Sequence, residues 1–175
     1  MRRIALLTAT VLAALGANGA NGASAQVLGE DAGACTSGRG PAIQAEISGL
    51  KDRTGRLKLE LYPASEEDFL KDDRDLVREG KTFRRIWANT PPSGAVVMCI
   101  RVPAPGDYAV LFTHDRDGKN KFDFWSDGAG FPSNQRLGRS RPKLRQAMVH
   151  VGNGVTSVNI RAQYLRGLGG FGPLN

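Results

Sequence analysis

The stretch Ile43-Gln44-Ala45-Glu46-Ile47-Ser48 decides the fold class, because apolar and polar residues alternate along it without a break. A period of two is typical of a β-strand that turns one face to a core and the other to water. The alternation returns after the turn at residues 51–55. There Leu57, Leu59 and Leu61 alternate with Arg56, Lys58 and Glu60. These two strands, each with one wet face, are predicted to form a hairpin.

Further strand patterns recur along the chain at short spacing. They cover residues 83–89, 94–102, 108–112, 147–151 and 155–164, and the run 108–112 is apolar enough for a central strand. One helix is predicted within residues 65–80, from a capping-box-like Ser65 to Gly80. Its predicted apolar stripe is Phe69, Leu70, Leu76 and Val77. About seven strands and one short helix in a connection predict an all-β fold, a single antiparallel β-sandwich of the immunoglobulin-like or transthyretin-like kind.

The two ends of the chain are predicted to lie outside this sandwich. Residues 1–25 have a basic start, an apolar run and a small-residue cleavage site, so they indicate a secretory signal peptide and a periplasmic or secreted protein. Residues 26–40 are predicted to form a flexible leader and residues 167–175 a flexible tail, with the domain at 41–166. Of the 175 residues, about 150 remain after cleavage, which is enough for one domain with a real core. No transmembrane segment is expected in them.

Two cysteines remain after cleavage, Cys35 and Cys99. Exported chains meet an oxidising compartment, so a disulfide between the two is expected. The alternative is a catalytic thiol, and no histidine lies near either cysteine in the sequence to support it.

Four short motifs in order resemble an exported bacterial family known as domain of unknown function 2141. They are residues 102–110 (VPAPGDYAV), 114–118 (HDRDG), 122–123 (FD) and 130–132 (GFP). The resemblance covers roughly residues 35–165 and implies a secreted or periplasmic β-sandwich without an established activity. The chain departs from the family's pattern at Lys119, at Lys121 and over residues 133–139.

The loop after the central strand contains a candidate calcium site. Calcium prefers several carboxylate and carbonyl oxygens on a tight loop. The candidate ligands are Asp115, Asp117, Asn120 and Asp123. Two lysines among them oppose a dication, so the other interpretation is a loop whose Asp and Asn side chains cap their own backbone. Calcium is the one possible cofactor expected.

A basic run follows in the same half of the chain and is a candidate anion site. Its members are Arg136, Arg139, Arg141, Lys143 and Arg145, with no acidic residue among them. Such a run attracts phosphate-bearing partners, and an anionic envelope lipid or glycan is the expected one. Nucleic acid is not expected, because no aromatic residue interleaves with the cations. The competing interpretation is a solvated loop.

The remaining candidates are histidine and aromatic residues. His114 ends the central strand beside Asp115. The two residues are predicted either to form an acid–base pair or to leave His114 as a structural hydrogen-bonding residue. Phe124 and Trp125 are expected to cover an end of the sandwich or to stack on a sugar. The sequence contains no G-x-S-x-G nucleophile elbow, no phosphate-binding loop and no glycine fingerprint of a dinucleotide site.

The expected function is therefore a non-enzymatic binding or accessory module of the bacterial envelope that uses loops 114–145. Two alternatives stay open, a small hydrolase centred on His114 and Asp115 and a weakly calcium-binding structural module. The charge distribution favours the loop-bearing half: residues 101–175 hold 11 basic and 5 acidic groups, within a whole-chain net charge of +7. The sequence does not constrain the oligomeric state.

Overall fold

A computed structural model describes residues 25–174. The predicted signal peptide lies outside the described residues, except for Ala25. In residues 25–174, no helix is both long enough and apolar enough to cross a bilayer.

The described chain is mostly β-structure with three short helices. In chain order the strands are β1 (Val27–Leu28), β2 (Ala42–Ser48), β3 (Arg56–Pro63), β4 (Arg84–Asn89), β5 (Val96–Arg101), β6 (Gly106–Asp115), β7 (Gly128–Gly130), β8 (Met148–Val151), β9 (Val155–Arg161), β10 (Gln163–Leu165) and β11 (Phe171–Pro173). The helices are α1 (Ala32–Thr36), α2 (Asp73–Arg78) and α3 (Leu144–Ala147), and a 3₁₀ turn covers Gly167–Gly169.

The strands form two sheets. The four-stranded sheet has the order β1-β5-β2-β9, and the seven-stranded sheet has the order β11-β10-β7-β6-β3-β4, with β8 paired to the first half of β6. Most neighbours are antiparallel, but β1 runs parallel to β5 and β2 runs parallel to β9. The prediction of a mainly antiparallel, sandwich-like β fold is confirmed, but residues 25–174 contain eleven strands, more than the about seven predicted.

One apolar core joins the inner faces of the two sheets. Ile43 and Ala45 of β2 are fully buried, as the alternation in this stretch predicts, and they meet the leucines of β3. Glu46 on the opposite face of β2 is exposed. The buried strand predicted at residues 94–102 is confirmed as β5, and the central strand predicted at residues 108–112 is confirmed as β6. Both are strongly buried because the core covers one face of each strand, while α1 packs on β5 and α3 packs on β6.

The predicted hairpin is wrong, because β2 and β3 belong to different sheets. The chain turns between the sheets over residues 49–55, and β3 then pairs with β4 and β6. Gly55 is required there: its φ is +70° and a Cβ atom would lie 2.2 Å from the carbonyl oxygen of Asp115. The prediction that β3 has one wet face is also wrong, since Lys58 and Glu60 are buried.

The helix within residues 65–80 is shorter than predicted. It begins after Asp72, whose side chain accepts a hydrogen bond from the Arg74 amide at 3.0 Å, and Gly80 follows its end with a φ of +67°. Leu76 is fully buried, as the predicted apolar stripe requires. Val77 is 64% exposed, so the prediction that it belongs to this stripe is wrong. One turn and a half of helix can bury only a narrow stripe.

The N-terminal leader differs from its prediction, because residues 26–40 contain β1 and α1 rather than a loose segment. The expected disulfide between Cys35 and Cys99 is present and fixes α1 to β5. Asp31 adds a second attachment, with its carboxylate accepting from Arg84 at 2.6 and 2.7 Å and from the Arg101 amide at 2.8 Å. Burial raises the pKa of Asp31, but these donors outweigh it and hold the pKa below its ordinary value.

The C-terminal segment also differs from its prediction. The strand predicted at residues 147–151 is β8 of the seven-stranded sheet. The strand predicted at residues 155–164 breaks at Ala162 into β9, which belongs to the four-stranded sheet, and β10, which belongs to the seven-stranded sheet. Residues 167–174, within the predicted flexible tail, contain the 3₁₀ turn and β11. Phe171 of β11 is only 4% exposed and exchanges backbone hydrogen bonds with Gly138. This pairing holds the tail against the basic run, next to the outer face of the seven-stranded sheet.

Candidate functional site

The outer face of the seven-stranded sheet is covered instead of wet. Alternation along β3 turns its leucines to the core, so that Lys58, Glu60 and Tyr62 point outward. These three residues are nevertheless at most 7% exposed. Residues 64–83 and the loops before and after β7, within residues 116–147, lie over this face. A second apolar cluster around Tyr62, Phe69 and Phe131 fills part of the space.

A pocket of about 480 Å³ remains between the sheet and this covering layer. Pockets that hold small organic ligands measure roughly 300–1,000 Å³. Its floor comes from β3, β4, β6 and β7, its roof from the loops and its side wall from β11. The lining residues are Lys58, Glu60, Tyr62, Leu70, Lys71, Asp72, Asp73, Arg85, Leu111, Thr113, Phe122, Phe124, Ala129, Phe131, Leu137, Gly138, Arg139, Ser140, Arg141, Pro142 and Phe171.

A network of charged groups forms part of the pocket floor. The Glu60 carboxylate accepts a hydrogen bond from Arg85 at 2.7 Å and faces the Lys58 ammonium at 3.5 Å. Arg85 also donates a hydrogen bond to the Asp73 carboxylate at 2.7 Å. The Tyr62 hydroxyl donates to Glu60 at 3.4 Å. Burial and the adjacent Glu60 charge raise the pKa of Tyr62 far above its ordinary value, so the hydroxyl remains protonated.

Two arginines of the predicted anion site reach the rim of this pocket. Arg139 donates to the carbonyl of Leu168 and Arg141 donates to the carbonyl of Leu70 at 3.2 Å. Within residues 25–174, neither guanidinium has a carboxylate within ion-pair distance. No carboxylate of the described residues therefore balances their positive charge directly.

The other three members of the basic run lie away from the pocket lining. Arg136 donates to the carbonyl of Gly169 at 3.1 Å, while Lys143 and Arg145 are exposed at α3. The structure thus divides the predicted anion site and gives only Arg139 and Arg141 to the pocket. Sequence reasoning missed Lys58, Glu60 and Arg85, because alternation shows which face of a strand they share but not what covers that face.

The predicted calcium loop brings together a different set of carboxylates. Asp115 and Asp117 meet Asp127, with one ligand atom of each within 4.8 Å of the others. Asp123 is not in this group: its carboxylate accepts from the Trp125 amide at 2.8 Å, and its own amide donates to Asp127 at 2.9 Å.

Cationic and backbone groups already neutralise much of this carboxylate cluster. The Lys119 ammonium lies 2.8 Å from Asp117, and Arg56 lies 3.0 Å from Asp115 Oδ2. Asn120 contributes its backbone amide to Asp115 at 3.2 Å instead of a side-chain ligand. The Oδ1 atom of Asp115 is buried and has no hydrogen-bond partner in the described residues.

His114 is fully buried at the end of β6. Its Nε2 lies 2.8 Å from the carbonyl oxygen of Thr54, which only accepts, so Nε2 carries the proton. The Tyr164 hydroxyl, 2.7 Å from Nδ1, therefore donates to it and accepts from the Lys51 amide at 3.0 Å. Burial lowers the pKa of His114 and raises the pKa of Tyr164 to about 12. A buried, fully bonded ring argues against the hydrolase alternative, because a general base must reach its substrate.

These features define the class of the protein, a two-sheet β-sandwich-like domain whose seven-stranded sheet is covered on its outer side and encloses a pocket there. The chain belongs to the bacterial family described as "Uncharacterized protein conserved in bacteria (DUF2141)", whose pattern matches residues 45–159. The resemblance seen in the sequence is thereby confirmed. The matched range includes most of the pocket floor and the whole basic run, and it leaves out Cys35 and β11. The curated proteins gave no significant match, and neither did the solved structures.

Proposed function

We propose that this protein is an exported, non-enzymatic binding module of the bacterial envelope that holds an anionic amphiphile in the pocket on the seven-stranded sheet. One observation carries the proposal: an aromatic pocket of about 480 Å³ has two arginines at its rim without carboxylate partners. An apolar tail gains free energy when it leaves water for such walls. A phosphate or carboxylate head forms charge-assisted hydrogen bonds with guanidinium groups.

The position of the charges supports a head at the rim and a tail within. Arg139 and Arg141 belong to the roof, where solvent reaches them, whereas Leu111, Phe122 and Phe131 line the apolar side. On the floor, Glu60 and Asp73 compensate the charges of Lys58 and Arg85, so these groups do not demand a second charge on the ligand. The signal-like N-terminus and the disulfide support export.

The test is a comparison of two ligands with the same tail and opposite charge. Dodecyl phosphate is expected to bind saturably below its micelle concentration, and dodecyltrimethylammonium is expected to bind much more weakly. A pocket-filling substitution, Leu111→Trp, is expected to abolish dodecyl phosphate binding. Calorimetry of wild type and variant measures both effects, and equal binding of both ligands by both proteins would contradict the proposal.

The two rim arginines have a matched control in the same basic run. Substitution Arg139→Ala with Arg141→Ala is expected to lower the affinity for dodecyl phosphate about tenfold, since hydrogen bonds to charged groups contribute about 1.5–3 kcal/mol each before solvent screening. Substitution Lys143→Ala with Arg145→Ala removes two exposed cations that do not line the pocket, and it should leave the affinity unchanged. Equal losses in both variants would show that only net charge matters.

A second candidate, weak calcium binding by the loop after β6, has one supporting observation. The buried Oδ1 of Asp115 has no hydrogen-bond partner in the described residues, and Asp117 and Asp127 lie beside this carboxylate. Calcium would give that oxygen a partner and would offset the mutual repulsion of the three carboxylates. A thermal melt in millimolar calcium against EDTA tests it, and an unchanged melting temperature would exclude the site.

The finer fold assignment, immunoglobulin-like or transthyretin-like, belongs to the same proposal. The two-sheet arrangement supports it, although the parallel pairing of β2 with β9 is unusual for an antiparallel sandwich.

A further inference from the structure

Four large apolar side chains protrude beside the mouth of the pocket. Phe122 is 41% exposed, Phe124 46%, Trp125 79% and Leu168 89%. We call these four residues the aromatic tip. Isolated exposed apolar residues are ordinary on a protein surface, but a contiguous set of this size marks an interaction surface.

Ring contacts within the chain join the three aromatic members of the aromatic tip, and a backbone contact places the turn of Leu168 beside them. The rings of Phe122 and Phe124 lie 5.9 and 4.9 Å from Phe171, and Trp125 packs edge-on against Phe124 at 5.9 Å. Phe171 pairs with Gly138, and the next residue, Arg139, contacts the Leu168 carbonyl. The loop after β6 and the turn before β11 therefore present one surface.

Cations flank this surface, and the carboxylate of Asp123, between Phe122 and Phe124, accepts a hydrogen bond from the Trp125 amide. Lys121 precedes Phe122, Arg166 precedes the turn that carries Leu168, and Arg136 and Arg139 donate to carbonyls of that turn. In the part of the chain that the structure describes, none of these four cations takes part in an ion pair. Their charge is available to an external anionic surface.

We propose that the aromatic tip docks the protein onto an anionic lipid surface. Tryptophan and phenylalanine are favoured at the boundary between headgroups and acyl chains, where an apolar body lies beside a polar layer. Lysine and arginine next to them gain attraction from anionic headgroups. The combination of protruding apolar side chains and unpaired cations matches a negatively charged bilayer better than a neutral one.

The docking surface shares the pocket mouth, since Phe122, Phe124 and Arg139 also line the pocket. The proposal rests on the envelope location proposed above and adds the partner surface to it. Docking and ligand binding can nevertheless fail separately. Trp125 and Leu168 do not line the pocket, so substitutions there change docking without removing pocket walls.

The test is binding of the full mature chain to vesicles of phosphatidylcholine with and without phosphatidylglycerol. We expect co-sedimentation with the anionic vesicles, a blue shift of tryptophan fluorescence and loss of both at high salt. The chain has two tryptophans, and Trp87 is covered by Arg56 at 4.5 Å, so the shift reports mainly Trp125. Substitution Trp125→Ala with Leu168→Ala should lower the partitioning at least about tenfold, since burial of even one large apolar side chain raises partitioning by about that factor or more.

The matched control is the pair Val77→Ala and Met148→Ala, which removes two exposed apolar residues outside the aromatic tip. This control should sediment like wild type. Substitution Lys121→Ala with Arg166→Ala should lower partitioning into anionic vesicles by about tenfold or more, since each cation near such a surface contributes about fivefold. Binding that is equal for neutral and anionic vesicles, or unchanged in the Trp125→Ala/Leu168→Ala variant, would overturn the proposal. If the Trp125→Ala/Leu168→Ala variant still binds dodecyl phosphate, its loss of vesicle binding is not caused by damage to the pocket.

Discussion

Removal of the disulfide between Cys35 and Cys99 should cost a large part of the stability of the fold. The bridge closes a loop with a sequence separation of 64 residues. In the chain-entropy account, a loop of that length restricts the unfolded state by about 4 kcal/mol. Domains of this kind are stable by about 5–15 kcal/mol in total. The folded state changes little, because alanine at positions 35 and 99 removes only the two sulfur atoms from a small cluster that Cys35 and Cys99 form with Ala34 and Ala42.

The assay is urea unfolding of the oxidised protein, of the reduced protein and of the Cys35→Ala/Cys99→Ala variant. The two forms without the bridge should agree with each other and lie about 4 kcal/mol below the oxidised protein. Their denaturant slope should also be steeper, because the unbridged unfolded chain is less compact. The reasoning fails if reduction lowers the free energy of unfolding by less than about 1 kcal/mol, a value far below the loop-closure estimate.

Three further predictions concern the buried histidine and the loop beside it. Tyr164→Phe should destabilise by about 1–3 kcal/mol in urea unfolding, because it leaves the buried Nδ1 of His114 without its donor; an unchanged stability would contradict the proton assignment. The lowered pKa of His114 means that the fold favours the neutral ring, so stability is full above the unfolded pKa of 6.5 and falls as the pH drops below it. Melting temperatures of His114→Gln should fall less than those of wild type over that acidic range, and parallel curves would refute this. In calcium titrations, the Lys119→Ala variant should bind calcium more tightly than wild type and the Asp127→Asn variant more weakly, whereas the Asp123→Asn variant should match wild type. Loss of calcium binding in the Asp123→Asn variant alone would show instead that Asp123 is a ligand, as the sequence predicts.

The elements that the sequence predicts well are those whose pattern is local. Two apolar, β-branched or aromatic runs predict β5 and β6, and Gly80 marks a helix end through its left-handed backbone. The pairing of strands is not local. β2 and β3 look like a hairpin because they follow one another, yet each finds its partners far along the chain, β9 and β6.

In the candidate site too, the sequence predicts which residue types are present but not which of them come together. The sequence indicates which loops carry oxygen ligands and which carry cations. It does not show how the loop folds back to bring Asp127 beside Asp115, and both Asp123 and Asp127 cap backbone amides. The pocket depends on still more distant contacts. Glu60 and Arg85 are held together across β3 and β4 beneath a loop that follows them by more than thirty residues, and alternation alone cannot show such a cover.

The ligand site itself is tested most directly by amide shift mapping in nuclear magnetic resonance during titration with dodecyl phosphate. We predict saturable chemical-shift changes at the amides of residues that line the pocket, such as Thr113, Ala129 and Gly138. The amide shifts of residues on the four-stranded sheet, such as Ala45 and Val97, should stay unchanged. Shifts confined to the four-stranded sheet, or no saturable shift at all, would contradict the claim that this covered face is the binding site.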